Sequence, residues 1–390
     1  MIDTIILRIP WGSYMITDHK KFTPSTENLR LDASSGFGAR GFSKYTQNPT
    51  PTDHKLGNYL PRLTITPRYT PAGLQIPLKI EFSVPKLLYG NNLEELADED
   101  FERVIDLLSE KLKIMGIRIF KATLQNSSVS VIHFSKNIPL TGHYTASYAI
   151  RELGKLDVTK KLDLNNRHFQ NDGHALYFYA GSYSLVLYDK MKDISLPRSR
   201  AVDKDEFNGQ LSLFEPLQAH KLPKEVLRFE IRITNKQKLN SLLTILGYKT
   251  NPTFKEVFNK ELSSKVLLYY WNFIYSKQAQ FILKFEEKPD KLLPAIVQHY
   301  KSQHKKIPAK QALSILGTMV FTREHGLRAF RNSIASNYSD RTWFRLSKLL
   351  SQASEITSNR KPFGFVEDIQ RELAEFNPYR VALEGSNTLQ

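Results

Sequence analysis

Residues 175–190, ALYFYAGSYSLVLYDK, and residues 226–234, VLRFEIRIT, are the stretches on which the fold prediction depends. Aromatic and β-branched residues lie on both sides of Ala180 and Gly181, which predicts two strands joined by a tight turn. The second stretch alternates apolar and polar residues with a period of two, which is typical of a half-buried strand. These strands can share one apolar core.

The same alternation places chemically useful side chains on the face opposite that core. They are Tyr188 and Lys190, which share their face with Val186, in the first stretch and Arg228, Glu230 and Arg232 in the second. An oxygen nucleophile, an acidic metal ligand and cations for phosphate together suit phosphodiester chemistry. An ordinary amphipathic sheet with a solvated charged face produces the same pattern, so the residues alone leave both interpretations open.

The composition favours a globular protein with a polyanionic partner. The chain has 390 residues, 41% of them hydrophobic, and a formal net charge of +16. Nucleic acid or an anionic membrane surface would fit that charge. The sequence contains no apolar run of about 18 residues and no signal-peptide pattern, which disfavours a membrane. Cysteine is absent, which excludes disulfides and thiolate metal sites and is compatible with the cytoplasm.

The rest of the chain predicts an α+β fold, in which an N-terminal antiparallel sheet with helices precedes a helical C-terminal domain. Strands are expected at residues 1–10, 60–66, 78–84, 117–121 and 128–134, the last two paired with each other. A helix that begins at a capping box formed by Asn92 and Glu95 should end near Gly116. After Thr234 the spacing becomes helical, so we expect a domain of residues 1–248 and a basic helical domain of residues 249–390.

Within the predicted helical domain, positive charge is concentrated in one stretch of the sequence. Residues 285–350 contain twelve Lys or Arg and five Asp or Glu, a net charge of +7. Three helices are expected there, and the last should present Arg341, Arg345 and Lys348 outward. A helix-turn-helix-like DNA reader and a small bundle with a solvated basic helix both fit this pattern.

A series of short motifs is spread along the chain: MIDTIILRIP (1–10), SVPK (83–86), GNN (90–92), VSVIHFS (129–135), LVLYDK (185–190), LRFEIRI (227–233), Trp271 and DRTWFR (340–345). In this order and spacing, the chain resembles the gene II/X replication initiators of filamentous phages and their plasmid relatives. YDK followed by RFE on a later strand is also similar to the initiators of staphylococcal-type rolling-circle plasmids.

The resemblance implies rolling-circle initiation in the cytoplasm of a bacterial host. Such an initiator nicks one strand of a double-stranded origin with Mg²⁺ or Mn²⁺. Its tyrosine, which falls on Tyr188, becomes linked to the 5′ phosphate. Host helicase and polymerase then extend the free 3′-OH, and the enzyme rejoins the displaced single strand. The carboxylate of the family falls on Glu230, and Lys190 is expected to stabilise the phenolate or the phosphorus centre.

The metal site departs from the pattern of familiar rolling-circle nucleases, because the chain has no His-hydrophobic-His triplet. His133 stands where phage relatives have an aspartate, so it is either a metal ligand or a hydrogen-bonded structural histidine. Glu81 is a further candidate ligand. Lys86 and Arg228 fall on basic positions of the family and, like Arg232, are expected either at DNA phosphate or in ion pairs.

Two other functions remain compatible with the sequence. A non-catalytic origin-binding protein that controls copy number would keep the same fold and charge. A related transposase or relaxase would use the same tyrosine chemistry, although no phosphate-binding helicase loop is present.

Overall fold

The computed structural model describes residues 1–27, 29, 44–50, 53, 59–71, 73–156, 166–170, 172–195, 225–275, 280–284 and 289–380. These residues form a large antiparallel sheet with helices and, after it, a helical region, so the predicted α+β class is confirmed. No helix in the described ranges combines the length and the apolar character needed to cross a membrane.

The strands of the described ranges build one main sheet and two small ribbons. They are β1 (Ile2–Ile9), β2 (Met15–Ile16), β3 (Tyr45–Gln47), β4 (Arg62–Ile65), β5 (Arg68–Thr70), β6 (Gly73–Gln75), β7 (Leu78–Ser83), β8 (Ile117–Arg118), β9 (Ser128–Pro139), β10 (Asn166–Gln170), β11 (Ala175–Tyr179), β12 (Tyr183–Asp189) and β13 (Val226–Ile233). The main sheet has nine strands in the order β10-β11-β12-β13-β9-β1-β7-β4-β3.

The helices pack on this sheet and continue beyond it. They are α1 (Val84–Tyr89), α2 (Phe101–Ile114), α3 (Lys121–Gln125), α4 (Ala146–Leu153), α5 (Lys190–Ser195), α6 (Lys236–Ile245), α7 (Phe254–Val257), α8 (Lys260–Ile274), α9 (Pro289–Ser302), α10 (Ala309–His325), α11 (Leu327–Asn337), α12 (Asp340–Ile356) and α13 (Gly364–Glu375).

The main core lies on the face predicted from the alternation. Leu185, Leu187, Phe229 and Ile231 are fully buried there, and α6, α8 and α13 pack against β9 on that side. Each buried aliphatic or aromatic side chain contributes about 1.5–3 kcal/mol. The opposite face of the same strands is therefore left for polar side chains.

Two local predictions are wrong. Ile117–Arg118 pairs with Met15–Ile16, whereas β9 pairs with β1 and β13. The helix also begins at Phe101 and not at Asn92, because residues 91–97 form a loop that is bound to the sheet. The predicted connection of residues 191–224 opens with the end of α5, and its part from residue 196 to 224 lies outside the described residues.

The three predicted basic helices are present as α10, α11 and α12. Gly326, between α10 and α11, has φ +88°, and a Cβ there would lie 2.9 Å from Lys155 Cα. The Leu327 amide donates to the Lys155 carbonyl at 2.7 Å, so this joint rests on the chain just after α4. The domain boundary near residue 248 stays a prediction.

Candidate active site

The Tyr188-Asp189-Lys190 motif lies where β12 ends and α5 begins. Asp189 Oδ1 accepts a hydrogen bond from the Lys192 amide at 2.9 Å, which caps the first turn of α5. Lys190 is fully buried and donates through Nζ to Asn92 Oδ1 at 2.9 Å and to Asp193 Oδ2 at 3.4 Å. Its Nζ lies 5.7 Å from the centre of the Tyr188 ring, close enough for a cation–π contact. The junction thus holds a cation beside the tyrosine.

The neighbouring strands bring further polar groups to the face that carries Tyr188. Tyr188 pairs with Arg228 across β12 and β13, which makes Glu230 its diagonal neighbour. Across β13 and β9, Glu230 pairs with Ser135 and Arg232 pairs with His133.

Asp3, His133 and Glu230 converge on this face from β1, β9 and β13. One ligand atom from each can be chosen so that all three lie within 4.8 Å of one another. Two carboxylates and an imidazole are a donor set for Mg²⁺ or Mn²⁺, which prefer oxygen ligands and accept a histidine nitrogen. The spacing and the chemistry of these donors therefore fit a divalent cation.

Neighbouring arginines keep the two carboxylates ionised. Burial alone would raise the pKa of Glu230, but Arg232, His133 and Arg228 hold that pKa well below its ordinary value. Arg232 donates to both carboxylate oxygens, from Nε at 3.0 Å and from Nη2 at 3.2 Å. Burial would likewise raise the pKa of Asp3, and Arg228, whose Nη2 lies 2.8 Å from Asp3 Oδ1, lowers it instead. Both acids are therefore available as anionic ligands at neutral pH.

The Tyr188 hydroxyl is held in its protonated form. Burial raises the pKa of Tyr188 well above its ordinary value; Arg228 opposes this rise, and Glu230, Asp193 and Asp3 add to it. Tyr188 shares the face of Glu230, yet only 8% of its surface is exposed. A phenol in this setting needs added positive charge before it can act as a nucleophile.

Arg228 anchors the site from within. Its exposed fraction is 1%, and its guanidinium donates to the Asn92 carbonyl at 2.7 Å and to Ser135 Oγ at 2.8 Å. Together with the contact to Asp3, these bonds match the alternative in which Arg228 forms an ion pair within the protein. Contact of Arg228 with DNA phosphate stays a prediction without support from its surroundings.

The other predicted residues lie outside the carboxylate cluster. Lys86 is half-buried on α1, which packs against β1 and β7, and Glu81 faces Arg62 and Ile6 in the neighbouring strands. Arg341, Arg345 and Lys348 are exposed on α12, as the helical pattern predicts. Lys348 Nζ lies 5.2 Å from the ring of the exposed Phe344. The DNA contacts of all these cations remain predictions.

Sequence reasoning missed Asp3 and Asn92. Asp3 is an isolated acid within the apolar strand IDTIILRI, and this was the signal that could have drawn attention to it. Asn92 was assigned to a helix cap, whereas its side chain binds Lys190 and its carbonyl binds Arg228.

Residues 64–249, which include β7, β9, β12 and β13, match the family of phage replication-associated proteins that is defined by the N-terminal part of the gene II protein. The match covers 186 of the 390 residues. Over these residues it bears out the resemblance drawn from the motifs, and it supports a role as a rolling-circle replication initiator. No curated protein and no solved structure matches the chain significantly.

Proposed function

We propose that this replication initiator is a metal-dependent nicking and joining enzyme whose nucleophile is Tyr188. The observation that carries the proposal is the convergence of Asp3, His133 and Glu230 on the sheet face that also bears Tyr188. A metal donor set next to a hydroxyl nucleophile is the arrangement that phosphodiester transfer requires. A divalent cation bound there would polarise the phosphoryl oxygens and favour ionisation of the phenol.

The proposed reaction exchanges one phosphodiester bond for another. Tyr188 Oη forms a bond to phosphorus, and the bond from phosphorus to the 3′ oxygen of the preceding nucleotide breaks. The phenol proton passes to solvent, and the departing 3′ oxygen takes a proton from solvent. The products are a 5′-phosphotyrosine and a free 3′-OH for a host polymerase. Attack by a later 3′-OH on the phosphotyrosine reverses the exchange, so rejoining needs no ATP.

The charges of the site support this role. Asp3 and Glu230 carry two negative charges, and Arg228 and Arg232 carry two positive charges that contact them. The charges of these four groups sum to zero, so a bound divalent cation would give them a net charge of +2. A phosphodiester and a phenolate bring two negative charges, which that net charge would stabilise in a site of low dielectric constant.

Lys190 and Arg232 have different proposed roles. The Lys190 ammonium is buried beside the Tyr188 ring and would stabilise the phenolate from within the protein. The Arg232 side chain keeps 32% of its surface exposed and could contact the phosphate while it remains bonded to Glu230. Because Tyr188 itself is 8% exposed, the proposal requires neighbouring side chains to move when DNA enters.

A nicking assay with an adduct readout tests the proposal. The protein is incubated with a supercoiled plasmid that carries its cognate origin, with Mg²⁺ or with EDTA. We expect relaxation and a covalent protein–DNA adduct only with the metal, and the adduct peptide should contain Tyr188. Tyr188→Phe should abolish both signals and leave DNA binding intact. Tyr179→Phe is the matched control, since Tyr179 lies on the same hairpin and is 40% exposed.

One observation favours a second candidate, a non-catalytic origin-binding protein. Arg232 occupies both oxygens of Glu230, and Tyr188 is nearly inaccessible, which together describe a self-contained polar cluster. Such a protein would bind origin DNA in a salt-sensitive manner and form no covalent adduct. Nicking that survives Tyr188→Phe would exclude the proposed nucleophile, and the absence of any adduct from the wild-type protein would favour this second candidate.

A further inference from the structure

A group of cations lies on the same face of the sheet as the candidate active site, farther along β1. Arg8 on β1 and Lys79 on β7 are direct cross-strand partners. Both point away from the core, because their neighbours Leu7, Ile9 and Leu78 are fully buried on the other face. We call these two residues, together with Arg68 and Lys44, whose charges act on Lys79, the β1–β7 basic patch.

The members of this patch repel one another. Burial lowers the pKa of Lys79, and Arg8, Lys44 and Arg68 lower it further, while Glu81 raises it. Burial and Arg68 also lower the pKa of Arg8. Like charges directly opposite each other in a sheet destabilise the pairing. The fold therefore keeps an unfavourable arrangement at this position.

The hydrogen-bonding capacity of the patch is incompletely used. Arg8 Nε is buried and has no hydrogen-bond partner among the described residues. Within the same described ranges, neither Arg8 nor Lys79 forms an ion pair with a carboxylate. Arg8 and Lys79 are both half-buried, so the exposed parts of a guanidinium and an adjacent ammonium can bind a phosphate oxygen.

We propose that the β1–β7 basic patch binds the backbone phosphates of the single DNA strand that runs from the nick site across the sheet. The proposal rests on the proposed function for the position of the nick. Arg8 follows Asp3 by five residues on β1, and a register shift between Ile2 and Ile5 allows both to lie on the polar face. The distance along the strand is roughly 16 Å at about 3.3 Å per residue. That separation can be spanned by a few nucleotides of a single strand. The occupant is thus the flank of the substrate strand, held by contacts that carry no base specificity.

Binding measurements without metal separate this proposal from catalysis. Fluorescence anisotropy is recorded with a labelled single strand of mixed sequence, about 30 nucleotides long, between about 50 and 300 mM NaCl in EDTA. For the full-length Arg8→Gln/Lys79→Gln protein, we expect the slope of log K against log salt to fall in magnitude by about 1.4. Each phosphate contact on a single strand contributes about 0.7 to the slope, and the variant lacks two such contacts. Its affinity near 50 mM salt should therefore fall roughly 10- to 60-fold.

The matched control is Lys111→Gln/Lys113→Gln, which removes the same charge from the last turn of α2. We expect the control to keep a slope close to that of the wild-type protein. Equal slopes for the patch variant and the control would overturn the proposal. Lys79→Arg keeps the charge and should retain wild-type affinity.

The stability of the variants provides an independent check. Because the patch is repulsive, Lys79→Gln should leave Tm unchanged or raise it while it lowers the slope by about 0.7. A fall in Tm together with unchanged binding would show that Lys79 has a structural role and would contradict the proposal. The salt dependence is measured in EDTA, where no metal-dependent cleavage takes place. Its result is therefore independent of whether Tyr188 forms an adduct.

Discussion

Glu230 retains its negative charge inside the protein because two arginines and a histidine surround it. The bidentate Arg232 pair, the Nδ1 of His133 at 3.4 Å and the nearby Arg228 guanidinium together offset the cost of burial. Charge-assisted hydrogen bonds of this kind are about twice as strong as neutral ones. A residue with a lowered pKa in such a cluster is a candidate for function, and this argument applies equally to Asp3.

Asp3 is expected to be a metal ligand, and Asp3→Asn tests this expectation. Thermal unfolding is measured with Mn²⁺ in about 100-fold excess over its Kd, which should stabilise the wild-type protein by about 2.7 kcal/mol. The variant should lose most of that increment. It should also be less stable without metal, since Arg228 would lose a charged partner.

Glu81→Gln is the control for the metal experiment, because Glu81 lies in the same sheet and outside the carboxylate cluster. It should keep the stabilisation by Mn²⁺. An Asp3→Asn protein that Mn²⁺ stabilises as strongly as the wild type would show that Asp3 is no ligand.

The rate of nicking should depend on pH through Tyr188. Burial raises the pKa of this phenol, so at neutral pH the protonated form dominates and the reactive phenolate is a minor species. In a single-turnover assay between about pH 6 and 9, the rate should rise about tenfold per pH unit, since the ionised fraction rises by that factor below the pKa. A rate that is flat over this interval would contradict phenolate attack.

At the scale of single elements, the loop of residues 91–97 replaces a predicted helix start and supports the site instead. The Asn92 side chain binds Lys190, its carbonyl binds Arg228, and the Asn137 side chain donates to the Leu93 carbonyl. One loop thus connects the start of α5 with β13 and β9. We infer that Asn92 is a positioning residue for Lys190.

Asn92→Ala tests the role of this loop. The substitution removes the oxygen that accepts from Lys190 Nζ at 2.9 Å, so we expect the single-turnover nicking rate at saturating DNA to fall about tenfold, or about 1.4 kcal/mol in activation free energy. The Kd for DNA should remain within about twofold of the wild-type value. Asn92→Asp keeps an acceptor and should restore most of the rate.

Asn126→Ala, in an exposed turn after α3, is the control and should be neutral. If Asn92→Ala and Asn92→Asp reduce the rate equally, the contact with Lys190 does not position the ammonium, and the loop would have only a structural role.

At the scale of the whole molecule, the chain beyond the matched family region returns to the sheet. Glu372 of α13 lies 3.3 Å from the buried Lys136 of β9, which also donates to Glu95 at 3.0 Å. The backbone of Tyr379 exchanges two hydrogen bonds with Glu95, each of 3.0 Å. The last described residues therefore pack behind the loop that carries Asn92, so the helical region contributes to the support of the site.

Gly326→Ala should weaken the contact between the α10–α11 joint and the residues after α4. Gly326 has φ +88° and ψ 159°, a backbone conformation that residues with a side chain rarely adopt. The added Cβ would also lie 2.9 Å from Lys155 Cα. We expect a loss of about 1–3 kcal/mol in the free energy of unfolding, measured by denaturant titration.

Gly12→Ala provides the control, because Gly12 has φ +87° and nothing lies within 4 Å of the position of its Cβ. A smaller loss at Gly12 would assign the difference to the Lys155 contact. Equal losses would show that backbone strain alone accounts for the effect and that the joint does not depend on close packing.

The sequence by itself determined the features that follow from local periodicity and motif. Alternation assigned Arg228, Glu230 and Arg232 to the polar face of one strand, and helical spacing placed Arg341, Arg345 and Lys348 away from the core. The ordered motifs also identified the family that the comparison of residues 64–249 supports. These properties depend only on residues that are close together in the chain, so they can be read directly from the sequence.

Only the tertiary structure decided which distant residues meet at the site. Asp3 joins His133 and Glu230 because β1, β9 and β13 are neighbours in the sheet, although the chain visits them far apart. Arg228 lies under the site and Asn92 binds Lys190 for the same reason. Strand order and register minimise the free energy of the whole core, and no local pattern encodes them, so the second carboxylate and its supports became visible only in the folded chain.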